Sequence, residues 1–184
     1  MRRLAIALAA AGAAGAAVLA TPAAALAALD PASVHASASA QDFWVTVRNW
    51  RSTKCLEQSW ANGAEQPDVK VAGCSGGDNQ QWAFTGVNGS YVIVTVKNKK
   101  SGKCLEQSWV NGAEQPDVKA ADCNGSSNQQ WRISQAEYYV TGFFLQNLSS
   151  GKDLQQSFAN GSETPNVNVA ARDVWGDYRN QVWR

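Results

Sequence analysis

The chain has 184 residues, a formal charge of +1, four cysteines and a single histidine. With charges so nearly balanced, and no basic run beyond Lys97, Lys99, Lys100 and Lys103, nucleic acid and anionic membrane are poor partners. The histidine, His35, stands in an Ala/Ser-rich segment, so histidine acid–base or triad chemistry has no candidate in the body of the chain.

Residues 1–27 read as a signal peptide. Arg2 and Arg3 precede an apolar run from Leu4 to Ala20, and Ala-x-Ala cleavage sites follow at Ala23 to Ala25 and at Ala25 to Ala27. A membrane anchor is the competing reading, but the run is Ala-rich, weakly hydrophobic and ends in cleavage-type residues. Residues 28–41, rich in Ala and Ser and containing Pro31, read as a disordered leader. The mature chain is therefore expected outside the cell, detached from the membrane and monomeric, with a charge of about −1 once Arg2 and Arg3 are gone. What remains, 42–184, is one domain of about 140–150 residues, long enough to bury a core.

That domain is a repeat. Lys54 to Val71 recurs as Lys103 to Ala120, and the two differ only at Ala61/Val110 and Val71/Ala120. A diverged third copy, Lys152 to Val169, keeps Leu154, Ser157, Asn160, Gly161, Pro165 and Val167. The period of 49 residues is fixed by Asn49, Asn98 and Asn147 and again by Pro67, Pro116 and Pro165. Each copy ends in Asn-Gln-x-Trp, at Trp82, Trp131 and Trp183, the last displaced by a three-residue insertion between Arg172 and Asn180. The copies fall at about 42–90, 91–137 and 138–184.

β-Branched and aromatic stretches predict strands at Trp44 to Val47, Tyr91 to Val96 and Tyr138 to Leu145. Turns are predicted at Asn62-Gly63, Asn111-Gly112 and Asn160-Gly161. Three copies of about four strands give an all-β chain of roughly twelve strands, which a barrel capped by hairpins would leave without free edges. Three copies are too few for an ordinary propeller, so a closed three-fold trefoil suits the count better. The recurrent Trp82, Trp131 and Trp183 are expected to converge on its core.

Four cysteines allow three connectivities, of which the repeat symmetry selects Cys55–Cys74 and Cys104–Cys123. Export permits their oxidation. The third copy has Asp153 and Arg172 at the same offset, so a charge pair is expected where the bridge is missing, worth about 0–1 kcal/mol if exposed. The cysteines are not in Cys-x-x-Cys pairs and no Gly-rich phosphate loop opens a helix, so no metal and no cofactor is expected. A glycosidase would need two carboxylates about 5–10 Å apart. Glu57 and Glu106 occupy equivalent places in different copies, too far apart for that, and Glu65 with Asp68 reads as a polar turn. No catalytic residue is expected. Asn-x-Ser at Asn88, Asn124, Asn147 and Asn160 reads as turn sequence rather than as glycan acceptors.

Cys-Leu-Glu, Asn-Gly, Val-Lys-x-x-x-Cys and Asn-Gln-Gln-Trp together resemble the ricin-B-type lectins, the family 13 carbohydrate-binding β-trefoils, over about 42–184. The resemblance implies a β-trefoil with pseudo-three-fold symmetry and shallow sugar pockets, up to one per copy. Such a pocket uses an acid after Cys-Leu, a polar residue two before an aromatic platform, the platform itself, and the Asn-Gln pair of the closing signature. Carried over, the acid positions are Glu57, Glu106 and Gln155, and the polar positions are Lys70, Lys119 and Asn168. The amide pairs are Asn79/Gln80, Asn128/Gln129 and Asn180/Gln181. The platform positions hold Ala72, Ala121 and Ala170, which offer no ring.

A displaced platform is expected three residues after the acid, at Trp60, Trp109 and Phe158, beside the Asn-Gly turn. A ring there would lean over the acid, with Glu57 or Glu106 and Asn79 or Asn128 as polar contacts and Gln80 or Gln129 orienting the acid. Pairing of Lys70 and Lys119 with the acids is the competing use of the same space. The expected function is a non-enzymatic, secreted carbohydrate-binding module with weak, multivalent attachment to an extracellular or cell-wall glycan. Two or three such sites on one body raise avidity by about 10²–10⁴ when a polymer reaches them together. The alternative is a protein-binding trefoil, such as a hydrolase inhibitor or a surface interaction protein.

Overall fold

The computed structural model describes residues 43–137, 141–173 and 177–184. The expected signal peptide and leader, His35 included, and the start of the strand expected at Tyr138 lie outside these residues. The first copy supplies β1 (Trp44–Thr46), β2 (Cys55–Ala61), β3 (Ala64–Ala72) and β4 (Gln81–Gly86). The second supplies β5 (Ile93–Asn98), β6 (Cys104–Val110), β7 (Ala113–Ala121) and β8 (Gln130–Gln135). The third supplies β9 (Phe143–Asn147), β10 (Asp153–Ala159) and β11 (Ser162–Ala170). A twelfth strand is reduced to a bridge: Trp183 pairs with both Asn49 and Phe143. Its amide donates to Phe143 O at 2.9 Å and its carbonyl accepts from Phe143 N at 2.8 Å.

β1, β4, β5, β8 and β9 pair antiparallel in that order, and the Trp183 segment links β9 back to the Arg48–Asn49 segment after β1. Closure through these bridges reduces the open edge that invites aggregation. Three hairpins, β2–β3, β6–β7 and β10–β11, cap one end. Their second strands meet in a triangle through Asp68 opposite Lys119, Asp117 opposite Asn168 and Asn166 opposite Lys70. Each hairpin turns at Asn-Gly. Asn62 and Gly63 have φ of 52° and 78°, the doubly left-handed geometry that matches strand twist and selects this dipeptide. Two sequence-based strands begin later than expected, at Ile93 and Phe143. Tyr91 is 96% exposed, and the Ser90 hydroxyl accepts from the amides of Val92 and Ile93, holding the chain in a turn.

The alternating pattern of β5 sends Val94, Val96 and Asn98 inward, the two-residue period of a strand with one wet face. Trp82, Trp131 and Trp183 are fully buried in one cluster with Leu56, Leu105 and Leu154. Each indole N–H donates to the carbonyl of the leucine of its own copy, at 3.0, 2.9 and 2.9 Å. Burying an indole without such an acceptor would forfeit much of the gain. The convergence expected of the three Trp is therefore present. The copies are also tied in a circle by ion pairs: Lys54 to Glu163, Lys103 to Glu65 and Lys152 to Glu114. All are partly exposed, so each is worth about 0–1 kcal/mol.

Cys55–Cys74 and Cys104–Cys123 are disulfides with Cα atoms 5.1 Å apart. In the third copy Arg172 takes the place of the second cysteine. Its Nε donates to Asp153 Oδ2 at 2.6 Å and its Nη2 to Asp153 Oδ1 at 3.0 Å. The guanidinium also lies 3.9 Å from the centroid of Phe144. The expected pair is thus present, and the value expected of it if exposed does not apply, because its acid is buried. Asp153 is completely buried, so the carboxylate depends on Arg172 for its charge compensation.

Candidate functional site

The acid and the amides form one fixed unit at the foot of each hairpin. Glu57 stands opposite Lys70, and Glu106 opposite Lys119, across β2–β3 and β6–β7. One Glu57 oxygen accepts from Gln80 Nε2 at 2.7 Å, and the other lies 3.6 Å from Lys70 Nζ. Glu106 repeats this with Gln129 at 2.7 Å and Lys119 at 3.3 Å. Gln80 is buried, its second N–H donates to Gly73 O at 2.8 Å, and its oxygen accepts from Ser75 N at 2.7 Å. Gln129 is buried in the same way by Asp122 O and Asn124 N. Both glutamines therefore reach the site through the acid they orient, and the lysines take the use that competes with ligand. In the third copy Gln155 accepts from both Asn180 and Gln181 at 3.3 Å.

The three Ala of the platform position lie opposite Cys55, Cys104 and Asp153 in the register, where they offer no ring. The lysines and their neighbours enclose a polar hollow of about 650 Å³ where the hairpins meet, lined by Asp68, Lys70, Asp117, Lys119, Asn166 and Asn168 among others.

The hairpin aromatics sit elsewhere. A bulge between Gln107 and Trp109 shifts the register after the acid and re-aims the residues beyond it. Trp109 then borders a shallow depression of about 280 Å³ with Ser127, Asn128 and Ser149, and Glu106 is not among its walls. The structure thus brings Trp109 to Asn128 as expected, but it does not place the ring over the acid. Trp109 is 38% exposed and Glu106 only 8%.

What covers each ring comes from the following copy. Asn49, Asn98 and Asn147 are fully buried, and their side-chain N–H groups donate to Asn180 O, Asn79 O and Asn128 O at 2.8, 3.0 and 2.9 Å. Their oxygens accept from the amides two and three residues on. That fixes a tight turn against the preceding copy's Asn. The residue two after the buried Asn is Lys100, Ser149 or Arg51. Lys100 Nζ lies 4.0 Å from the Trp60 centroid, and Arg51 Cζ 4.1 Å from that of Phe158. Arg51 is held by Asp177 at 3.1 Å. The hydrogen bond from Arg179, with its charge and that of Arg51, lowers the Asp177 carboxyl to about 2, so it remains an anion at ordinary pH. Ser149, in contrast, only borders the depression beside Trp109. None of these covering residues stood out in the sequence, because their role depends on contact between copies. Their one signal was the periodic Asn two positions earlier.

The family model described as the ricin-type β-trefoil lectin domain matches residues 43–183. A designed three-fold symmetric protein, ThreeFoil, is similar at 28% identity over 77% of this chain and 96% of its own, with a TM-score of 0.62. The ricin B-like lectin of Macrolepiota procera, solved in complex with lactose, shares 16% identity over 77% of this chain and 93% of its own, with a TM-score of 0.60. An exo-β-1,3-galactanase from Clostridium thermocellum shares 21% identity over 78% of this chain but 30% of its own, with a TM-score of 0.60. Among curated protein sequences none matches.

Proposed function

Because the chain belongs to the family of ricin-type β-trefoil lectin domains, we propose that it is a secreted, non-catalytic carbohydrate-binding protein for an extracellular or cell-wall polysaccharide. Its contact surface is built from a hairpin aromatic together with the amide of the closing signature. One observation carries this reading: Trp109 presents its ring beside Asn128, Ser127 and Ser149 in a shallow hollow. An exposed ring contacts sugar C–H groups while hydroxyls and an amide take the sugar hydroxyls. Gln80 and Gln129 hold Glu57 and Glu106 at the foot of the hairpins, and Glu106 lies outside the walls of the Trp109 hollow. Two disulfides in the domain suit an oxidising, extracellular setting.

Retention of the protein on insoluble cellulose, xylan, chitin and β-1,3-glucan tests this. The unaltered protein should be retained by at least one. Trp60→Ala combined with Trp109→Ala should abolish retention at a cost of less than about 1 kcal/mol in stability, since both rings lie outside the core. A loss of about 3–5 kcal/mol would mark them as core residues instead. Failure of the unaltered protein to bind any of the four contradicts the proposal.

A further inference from the structure

The three copies share a backbone and most of their site residues, yet their aromatic faces are not in the same state. In the first copy the ammonium of Lys100 lies over Trp60. Its neighbour Lys99 is paired with Asp78 at 2.9 Å. In the third copy the guanidinium of Arg51 lies over Phe158 and is anchored by Asp177. In the second copy the corresponding residues are Leu148, Ser149 and Ser127, and the walls of the depression carry no charged side chain. Resting on the carbohydrate-binding reading above, we infer that the second copy alone is the primary site. It takes a neutral pyranose stacked on Trp109, and the residue two after the buried Asn of the next copy decides whether a ring is available.

Cation and sugar compete for one ring face. A cation over an exposed indole is attracted strongly enough that a ligand displacing it loses a factor of roughly two to five in affinity. Arg51 costs more to displace, because moving it also breaks its contact with Asp177. Among the described residues no cation lies over Trp109. Its hollow of about 280 Å³ falls just below the range of about 300–1,000 Å³ usual for small-molecule pockets, so it suits one sugar ring of a chain that continues into solvent. Ser127, Asn128 and Ser149 offer hydroxyl and amide groups and no charge, which matches a neutral sugar better than an acidic one.

The turn that carries Ser149 is held by Asn147 as the turn carrying Lys100 is held by Asn98. Exchange of the two residues is therefore tolerated by the backbone, and a thermal midpoint confirms folding of each variant. Cellohexaose, xylohexaose and chitohexaose are titrated into the full-length protein by calorimetry. The unaltered protein should bind one hexamer of at least one kind with a stoichiometry of one. Ser149→Lys should weaken that binding at least two- to fivefold, and Trp109→Ala at least tenfold. Lys100→Ser should raise the stoichiometry to two, and adding Trp60→Ala should return it to one. Binding that is indifferent to Ser149→Lys, or that Trp60→Ala alone damages as much as Trp109→Ala, overturns the assignment to the second copy while leaving carbohydrate binding intact. No binding of any hexamer, together with no retention on the polysaccharides, overturns both.

Discussion

Arg172→Ala should remove about 3–5 kcal/mol of stability, the usual cost of stranding one member of a buried ion pair. Asp153 is fully buried, and Arg172 supplies two charge-assisted hydrogen bonds to it as well as a contact with the Phe144 ring. The hydrogen bond to Asp153 raises the Arg172 pKa above its ordinary value. A raised cation contributes its stability throughout the range below the unfolded value and loses it only as pH rises through the folded one. The pair therefore holds across neutral and mildly alkaline pH. Urea unfolding at neutral pH, with an unchanged m-value, would report the loss as a shifted midpoint. A change below about 1 kcal/mol would show instead that the pair behaves as an exposed one. Because the register opposite Asp153 matches that opposite Cys55, Asp153→Cys with Arg172→Cys should form a third bridge, closing a loop of about 20 residues worth roughly 3 kcal/mol, and a reductant should reverse the gain.

The two native bridges carry the largest expected effect. Each joins cysteines 19 residues apart, so each contributes roughly 3 kcal/mol by restricting the unfolded chain. Cys55→Ala with Cys74→Ala and the equivalent change at Cys104 and Cys123 lie in different copies and should be nearly additive. Losing both removes about 6 kcal/mol, comparable with the whole stability of a marginal domain of about 5–15 kcal/mol. Thermal unfolding of the single and combined variants measures this. A combined loss no larger than either single loss would contradict it, and would place the bridges' effect in residual structure of the unfolded chain.

How much the sequence disclosed depends on whether a residue acts within its own copy. The Asn-Gly turns, the buried Trp of each signature and the two disulfides are local to one repeat, and spacing was enough to read them. The same holds for Arg172, whose partner lies at the offset of a cysteine pair. What escaped was set by contacts between copies or by a break in the two-residue period. The register shifts between Gln107 and Trp109, and Trp109 borders a hollow whose walls exclude Glu106, whereas position beside the Asn-Gly turn suggests a ring over the acid. Lys100 figures in the sequence only within a short basic run and Arg51 not at all, yet the fold lays both on aromatics of the preceding copy. The twelfth strand is only a bridge at Trp183, in a segment that bonds Phe143 on one side and Arg48 on the other.

Sugar held on the Trp109 face would show itself in the eight Trp indole N–H signals, followed by NMR while the hexasaccharide that binds is titrated in. The Trp109 signal should move progressively with the side-chain amide of Asn128. Those of Trp82, Trp131 and Trp183, locked to leucine carbonyls in the core, should stay in place. Shifts confined to Lys70, Lys119, Asn166 and Asn168 around the axial hollow, with Trp109 unmoved, would place the sugar there instead.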